Sequence, residues 1–180
     1  DKFSGLVVVD EAYIDFSKKG TSIELMNDYP RLMVCQTLSK AYGLAGIRLG
    51  IGFAQPEIIA FLNKIKPPYN VNVLSQRKAL DTLNNPALVK RQVEELIRER
   101  KKMEKELSSL SFVKKIYPSD ANFLLVCMDE AKKRYEQFLD RGIVVRNRSS
   151  LLRCENTLRI TVGTPEENIK FIDTCRIMNQ

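Results

Sequence analysis

A lysine that follows an apolar run, with hydroxyls, a carboxylate and an arginine near it in the sequence, is the most chemically suggestive feature of this 180-residue chain. Asp10-Glu11-Ala12-Tyr13 comes directly after the apolar run Val7-Val8-Val9. Thr37-Leu38-Ser39-Lys40 comes after a second run, Leu32-Met33-Val34-Cys35, and Arg48 stands further along. Lysine is the side chain that condenses with a carbonyl to a Schiff base. A cation at Arg48 with hydroxyls at Thr37 and Ser39 could hold a phosphate beside it. A carboxylate at Asp10 could accept a hydrogen bond from a protonated pyridine nitrogen, and a phenol at Tyr13 could donate to an oxygen on the same ring. Taken singly, each has a plainer reading. An Asp at a strand end is usually a cap or turn residue, and a Ser-Lys pair is usually a surface turn. Their order behind successive strands favours a phosphorylated aldehyde cofactor, because open α/β sheets place ligands at strand ends.

Those residues need strands to carry them. Leu6-Val7-Val8-Val9 and Arg31-Leu32-Met33-Val34-Cys35-Gln36 lack alternation, the pattern of strands buried on both faces. Ile47 to Phe53 predicts a third strand that Arg48 enters, its glycines suited to close backbone approach. Pro56 opens a helix, and Lys66-Pro67-Pro68-Tyr69-Asn70 reads as a linker or hinge. A helix over Leu74 to Leu83 ends at Asn84-Asn85-Pro86, and a long amphipathic helix runs on to about Leu110. Beyond it, strands are expected at Asn122–Val126, Ile143–Arg146 and Thr157–Val162. Helices are expected at Asp129–Leu139 and from Pro165. The chain thus divides into an α/β part over residues 1–70, linking helices over 71–110, and a small α+β layer domain over 111–180.

Composition narrows the function. Histidine is absent, which excludes His bases, His triads and His metal sites within this chain. Cys35, Cys127, Cys154 and Cys175 lie far apart with no CxxC, so buried free thiols in a reducing cytosol are expected, with no zinc and no disulfide. No apolar run approaches the roughly 20 residues of a membrane span. The start, Asp1-Lys2-Phe3-Ser4-Gly5, has no basic n-region or apolar h-region, so a cytoplasmic protein without a signal peptide is expected. It also lacks a Met and reads as the start of a piece of a longer chain. The net charge of +7 owes much to Lys90, Arg91, Arg98, Arg100, Lys101, Lys102 and Lys105, which Glu94, Glu95, Glu99, Glu104 and Glu106 intersperse. That is the pattern of an ion-paired helix face. With no aromatic between Tyr69 and Phe112, nucleic acid is not an expected partner.

The segments VVVDEAYIDF, TLSKAYGLAGIRLGIGF and LRITVGTPEEN resemble the class I/II pyridoxal-phosphate (PLP) aminotransferases, and most closely the histidinol-phosphate branch. The resemblance runs from about Gly5 to Ile172. It implies an α/β fold of type I, with a large sheet domain, a small C-terminal domain, and a homodimer with active sites at its interface. This chain would be the C-terminal half of that fold. Residues 1–70 would then be the C-terminal part of the large PLP-binding domain. On this resemblance Lys40 is the Schiff-base lysine. Asp10 meets the pyridine nitrogen, Tyr13 the ring hydroxyl, and Thr37 and Arg48 the cofactor phosphate. Arg159 pairs with the substrate α-carboxylate and Arg146 with the phosphate of histidinol phosphate. Pattern alone puts Arg159 on the face opposite Leu158, Ile160 and Val162, and it does not separate Arg146 from Arg148. Ser39 precedes the lysine of the motif, and Asn122 matches a position at the substrate entrance. The implied reaction is transamination between histidinol phosphate and 2-oxoglutarate in histidine biosynthesis, so the partners are an amino donor and a 2-oxo acid. Threonine-phosphate decarboxylation and aromatic transamination are the alternatives on the same fold. The family's glycine-bearing phosphate loop, ring-stacking residue and ring-contacting Asn have no counterpart in this sequence, so the isolated chain is expected to be inactive.

Overall fold

The computed structural model describes residues 3–179 and resolves two compact units, one ending at Gln92 and the other beginning at Val93. Asp1 and Lys2, the first residues of the segment read for a leader, lie outside the described residues.

In the first unit, β1 (Val7–Asp10) runs parallel to β2 (Leu32–Thr37), with Val7 opposite Leu32 and Asp10 opposite Cys35. β3 (Gly50–Phe53) runs antiparallel on the other side of β2, with Thr37 opposite Gly50. Helices α1 (Pro56–Ile65) and α2 (Val73–Leu83) follow, with Pro56 in the first turn of α1 and Asn72 capping α2. Leu38, Leu44 and Ala79 form a small core, with Tyr42, Ile47, Leu49 and Ile51 packed on it. Ser75 of α2 reinforces this by donating to the Ile47 carbonyl at 3.1 Å.

Two expectations fail here. β1 is not buried on both faces: Val7 and Val8 are about half exposed, and among the described residues β2 is the one strand that pairs with it. The third strand is shorter than its apolar run. Ala45–Ile47 form a 3₁₀ turn, and Arg48 stands at its end, ahead of the strand. Of its glycines, Gly50 does lie against backbone, a Cβ there meeting the Gln36 carbonyl at 3.5 Å, whereas one at Gly52 would meet the end of the Met33 side chain at 2.9 Å.

The second unit is a four-stranded antiparallel sheet in the order β4 (Val113–Ile116), β5 (Phe123–Met128), β7 (Thr157–Thr161), β6 (Arg146–Asn147). Leu124, Val126 and Met128 alternate along β5 and Leu158 and Ile160 along β7, all buried. They pack with Met103 and Leu107 of α3 (Pro86–Leu107), Phe138 of α4 (Ala131–Asp140), and Phe171, Ile172 and Cys175 of α5 (Pro165–Ile177). Phe138 stacks on Phe171 at 5.1 Å between ring centroids. A reciprocal Thr164–Glu167 capping box starts α5, and Gly142, with φ +68°, follows the last turn of α4.

Here too the structure corrects the pattern. Val113–Ile116 is a strand that Lys114 and Lys115 disguise, as lysines do on sheet edges. Of the expected run Ile143–Arg146 only Arg146 pairs in the sheet, followed by Asn147 just beyond it. Ile143 instead donates its N–H to Phe138 at the end of α4, and Val144 is 80% exposed. Of the four free cysteines only Cys175 is buried, and burial pushes its thiol up to about 12. The face of α3 is not uniformly ion-paired. Among the described residues Glu99 pairs with Lys102 at 2.6 Å and Glu106 with Arg176 of α5, while Arg100 is buried and donates to the Ala121 carbonyl.

Asp129, just after β5, receives two hydrogen bonds from Arg134 of α4, at 2.7 and 2.9 Å. Those bonds, against the upward push of burial, hold its carboxyl down to about 2 from an ordinary 3.8. The folded-state value is the lower one, so the stabilisation is complete above about pH 4 and disappears as pH falls towards 2. Asp129→Asn should therefore cost the second unit about 1–2 kcal/mol at pH 7 and almost nothing at pH 2, read by urea denaturation. A pH-independent loss would show that packing, not ionisation, accounts for the contact.

Candidate active site

The pairing of β2 brings three chain ends together. Asp10 closes β1 and Thr37 closes β2, while the antiparallel β3 begins at Gly50, opposite Thr37. Asp10, Tyr13, Thr37, Ser39, Lys40 and Arg48 therefore gather at one end of the three-stranded sheet. Asp10 is exposed, and its Oδ1 accepts the Ala12 N–H at 3.0 Å, the turn contact that its plainer reading foresaw. The Lys40 ammonium lies 5.3 Å from the centroid of the Tyr13 ring, within the range of a cation–π contact. Thr37 Oγ1 accepts the Ser39 N–H at 3.1 Å and donates to the Leu49 carbonyl. The backbone folds back on itself around Lys40, with Leu44 N–H donating to Leu38 and Gly43 N–H to Lys40. Gly43 takes φ +66°, a conformation that a side chain would strain.

Arg48 also has a left-handed backbone, φ 56°, although it carries a side chain. Such a residue costs roughly 1–2 kcal/mol and persists where its surroundings impose it. Its side chain is exposed and touches only the local Ala45 carbonyl among the hydrogen bonds of the described residues.

One residue at this end went unnoticed in the sequence. Glu11 is buried, and its carboxylate accepts hydrogen bonds from Thr21 Oγ1 (2.6 Å), Ser22 N (2.6 Å) and Gln36 Nε2 (2.9 Å). Burial pushes its pKa up, but these donors outweigh burial and bring it below the usual range. The signal was present as a second carboxylate in DEAY, but its partners lie far along the chain.

In the second unit the register places Arg146 of β6 directly opposite Arg159 of β7, and Leu125 of β5 opposite Arg159 on the other side. These residues share the face of the sheet turned away from Leu158 and Ile160. The Arg159 guanidinium lies 5.2 Å from the Phe123 ring centroid, and its Nε is buried without a hydrogen-bond partner. Two like charges opposed across a ladder are unfavourable by themselves, so the pair is suited to receive an anion. Arg148 extends the ladder, its N–H bonded to Thr157, and Asn122 stands at the start of β5 with its carbonyl accepting from Val162. The loop after β7 is held by Asn168, whose amide bonds both the N–H and the carbonyl of Gly163 and is itself bonded to Glu99 of α3.

The donor set of the first unit suits a planar, phosphorylated aldehyde: one amine, a phenol beside it, a carboxylate, hydroxyls and an exposed guanidinium. Among the described residues no group of three His, Cys, Asp or Glu could hold a metal ion, and no helix is long and apolar enough to cross a membrane. The left-handed backbone at Arg48 gives a direct test. Arg48→Gly should be more stable than Arg48→Ala by about 1 kcal/mol in urea denaturation, because glycine adopts φ 56° without strain. Equal stability of the two would mean that the turn relaxes when the arginine is removed.

Comparison with known proteins adds a family to this geometry. The family model "Aminotransferase class I and II" matches residues 1–174. A histidinol-phosphate aminotransferase of Christiangramia forsetii is 58% identical over 172 residues, covering 96% of this chain and 49% of that protein. The chain spans about half the length of the curated relatives it matches. Among solved structures, the histidinol-phosphate aminotransferase of Clostridium acetobutylicum aligns with a TM-score of 0.90 at 23% identity, over 97% of this chain and 54% of that one. The L-threonine-O-3-phosphate decarboxylase of Porphyromonas gingivalis aligns at 0.83 and 23%, over 95% of this chain and 54% of that one. At such identities these two structures speak for the fold. With the family model spanning almost the whole sequence, the chain belongs to the class I and II aminotransferases.

Proposed function

We propose that the protein to which this chain contributes is a PLP-dependent aminotransferase that exchanges the amino group between histidinol phosphate and 2-oxoglutarate. The observation that carries this reading is the lysine beside a phenol, at the end of a sheet that also gathers Asp10, Thr37 and Arg48. When bound, PLP would supply an aldehyde carbon and an aromatic electron sink. Lys40 is the residue that would hold the group through its Nζ, and as a free amine the same Nζ would serve as the base for the proton on the substrate's amine-bearing carbon. Asp10 accepts the ring N–H and keeps that nitrogen protonated. Tyr13 donates its phenol O–H to the ring oxygen, and Thr37 and Arg48 bind the phosphate.

The paired arginines divide the substrates. Arg159 takes the α-carboxylate of glutamate, and Arg146 takes the phosphate of histidinol phosphate. The high identity to a histidinol-phosphate aminotransferase supports that choice of substrate. We place the enzyme in the cytoplasm as a homodimer. Exposed Phe61 and Ile65 at α1 and Val73 and Leu74 at α2 support the second copy, since apolar side chains this exposed favour burial against a partner.

The test is steady-state kinetics of the full-length protein. Lys40→Ala should abolish amino transfer and the borohydride-trappable cofactor adduct. Arg146→Ala should raise KM for histidinol phosphate about 10- to 100-fold and leave glutamate little changed, the weight of a lost charge-assisted contact. Arg159→Ala should do the reverse. Release of carbon dioxide without amino transfer would overturn the transaminase reading, and equal effects of both arginine variants on both half-reactions would overturn the division between them.

A further inference from the structure

Glu11 is a carboxylate held inside the fold, one residue beyond the end of β1. It is 7% exposed, and among the described residues no cation is a hydrogen-bond partner of its carboxylate. A buried carboxylate is costly unless donors surround it. Here three neutral donors from two distant segments converge on it. Oε2 takes Thr21 Oγ1 and Gln36 Nε2, and Oε1 takes the Ser22 N–H. Its own backbone N–H donates to the Cys35 carbonyl at 2.8 Å, adding one rung beyond the end of β1.

The neighbours in sequence give this brace its meaning. Glu11 follows Asp10 and leads into Tyr13, and Gln36 precedes Thr37. Successive strand residues project to opposite faces, so Gln36 can bind Glu11 while the Thr37 hydroxyl remains with Ser39 and Leu49. The contact therefore fixes the spacing between the segment carrying the carboxylate and phenol and the segment carrying the hydroxyl and lysine.

We infer that Glu11 is a positioning residue, holding the Asp10–Tyr13 turn in register with Thr37 and Lys40 so that the two segments engage one planar phosphorylated ring together. The inference rests on the reading of that end as the PLP site. A carboxylate is needed because all three partners donate. Glutamine would turn an NH₂ group towards donors, and aspartate is one methylene short.

The test uses the full-length protein with and without PLP. Glu11→Gln should weaken PLP binding about tenfold, the weight of one charge-assisted hydrogen bond, and shift the pH at which the bound cofactor changes its visible absorbance. In the cofactor-free protein, amide exchange should quicken at Ala12 and Ser39, whose N–H groups are not partners of the Glu11 carboxylate but are bonded to Asp10 and Thr37. The exchanged pair, Glu11→Gln with Gln36→Glu, should recover part of the affinity because it restores a donor facing an acceptor. Thr21→Val, which removes one of the three donors, gives a smaller effect in the same direction and serves if Glu11→Gln does not fold. A variant with lowered melting temperature but wild-type PLP affinity, absorbance profile and exchange at Ala12 and Ser39 would show the brace to be structural only. A wild-type protein that takes up no PLP would overturn the functional reading and this inference together. Uptake with Glu11→Gln unchanged would overturn this inference alone.

Discussion

The candidate site of the first unit depends on β2 being paired in two senses at once. A parallel neighbour on one side makes β1 finish where β2 finishes. An antiparallel neighbour on the other makes β3 start there. Three loops are thereby brought to one rim. An all-antiparallel arrangement of the same three strands would carry Asp10 to the far end of the sheet, away from Thr37 and Lys40. Backbone hydrogen bonding in a few short strands thus sets which side chains can meet. The turn around Lys40, with Gly43 in the left-handed region, then settles how they meet.

The second unit solves a different problem with the same alternation. Every second residue of β5 and β7 enters a core built against α3, α4 and α5. The residues between them are free to serve the opposite face. Phe123, Leu125 and Arg159 lie there, with Arg146 across the ladder. The helical side also holds the ends of these strands. Consecutive residues of α3 do this through polar groups: Glu99 by way of Asn168 to Gly163, and Arg100 directly to Ala121. A helix that looks solvated by composition is thus partly an internal scaffold.

What could be read from the sequence follows from the range of the interactions involved. Asp10, Thr37 and Lys40 stand beside apolar runs, so their places at strand ends were legible. The helices at Pro56 and Pro165 announced themselves through proline at the first turn. Glu11 could not be read, since Thr21 and Gln36 are 10 and 25 positions away and only folding brings them to it. Arg48 was misplaced because Ile47 to Phe53 forms one apolar stretch, and nothing in it signals a left-handed residue. Arg100 was hidden among charges that resemble a solvent face, and Lys114 and Lys115 concealed an edge strand. The exposed flank of β1 was also missed, because an apolar run reports that a strand is to be covered and not what covers it.

The opposed Arg146 and Arg159 also link ligand to folding. Two cations across a ladder cost roughly 0.2–1 kcal/mol by repulsion, and here one of them also has a buried Nε without a partner. An anion that settles between them binds the folded state and has no comparable site on the unfolded chain. At a hundred times its dissociation constant such a ligand adds about 2.7 kcal/mol to stability. The lifetime of this chain against proteolysis would then follow the supply of any anion that settles there, rising when it is abundant and falling when it is scarce.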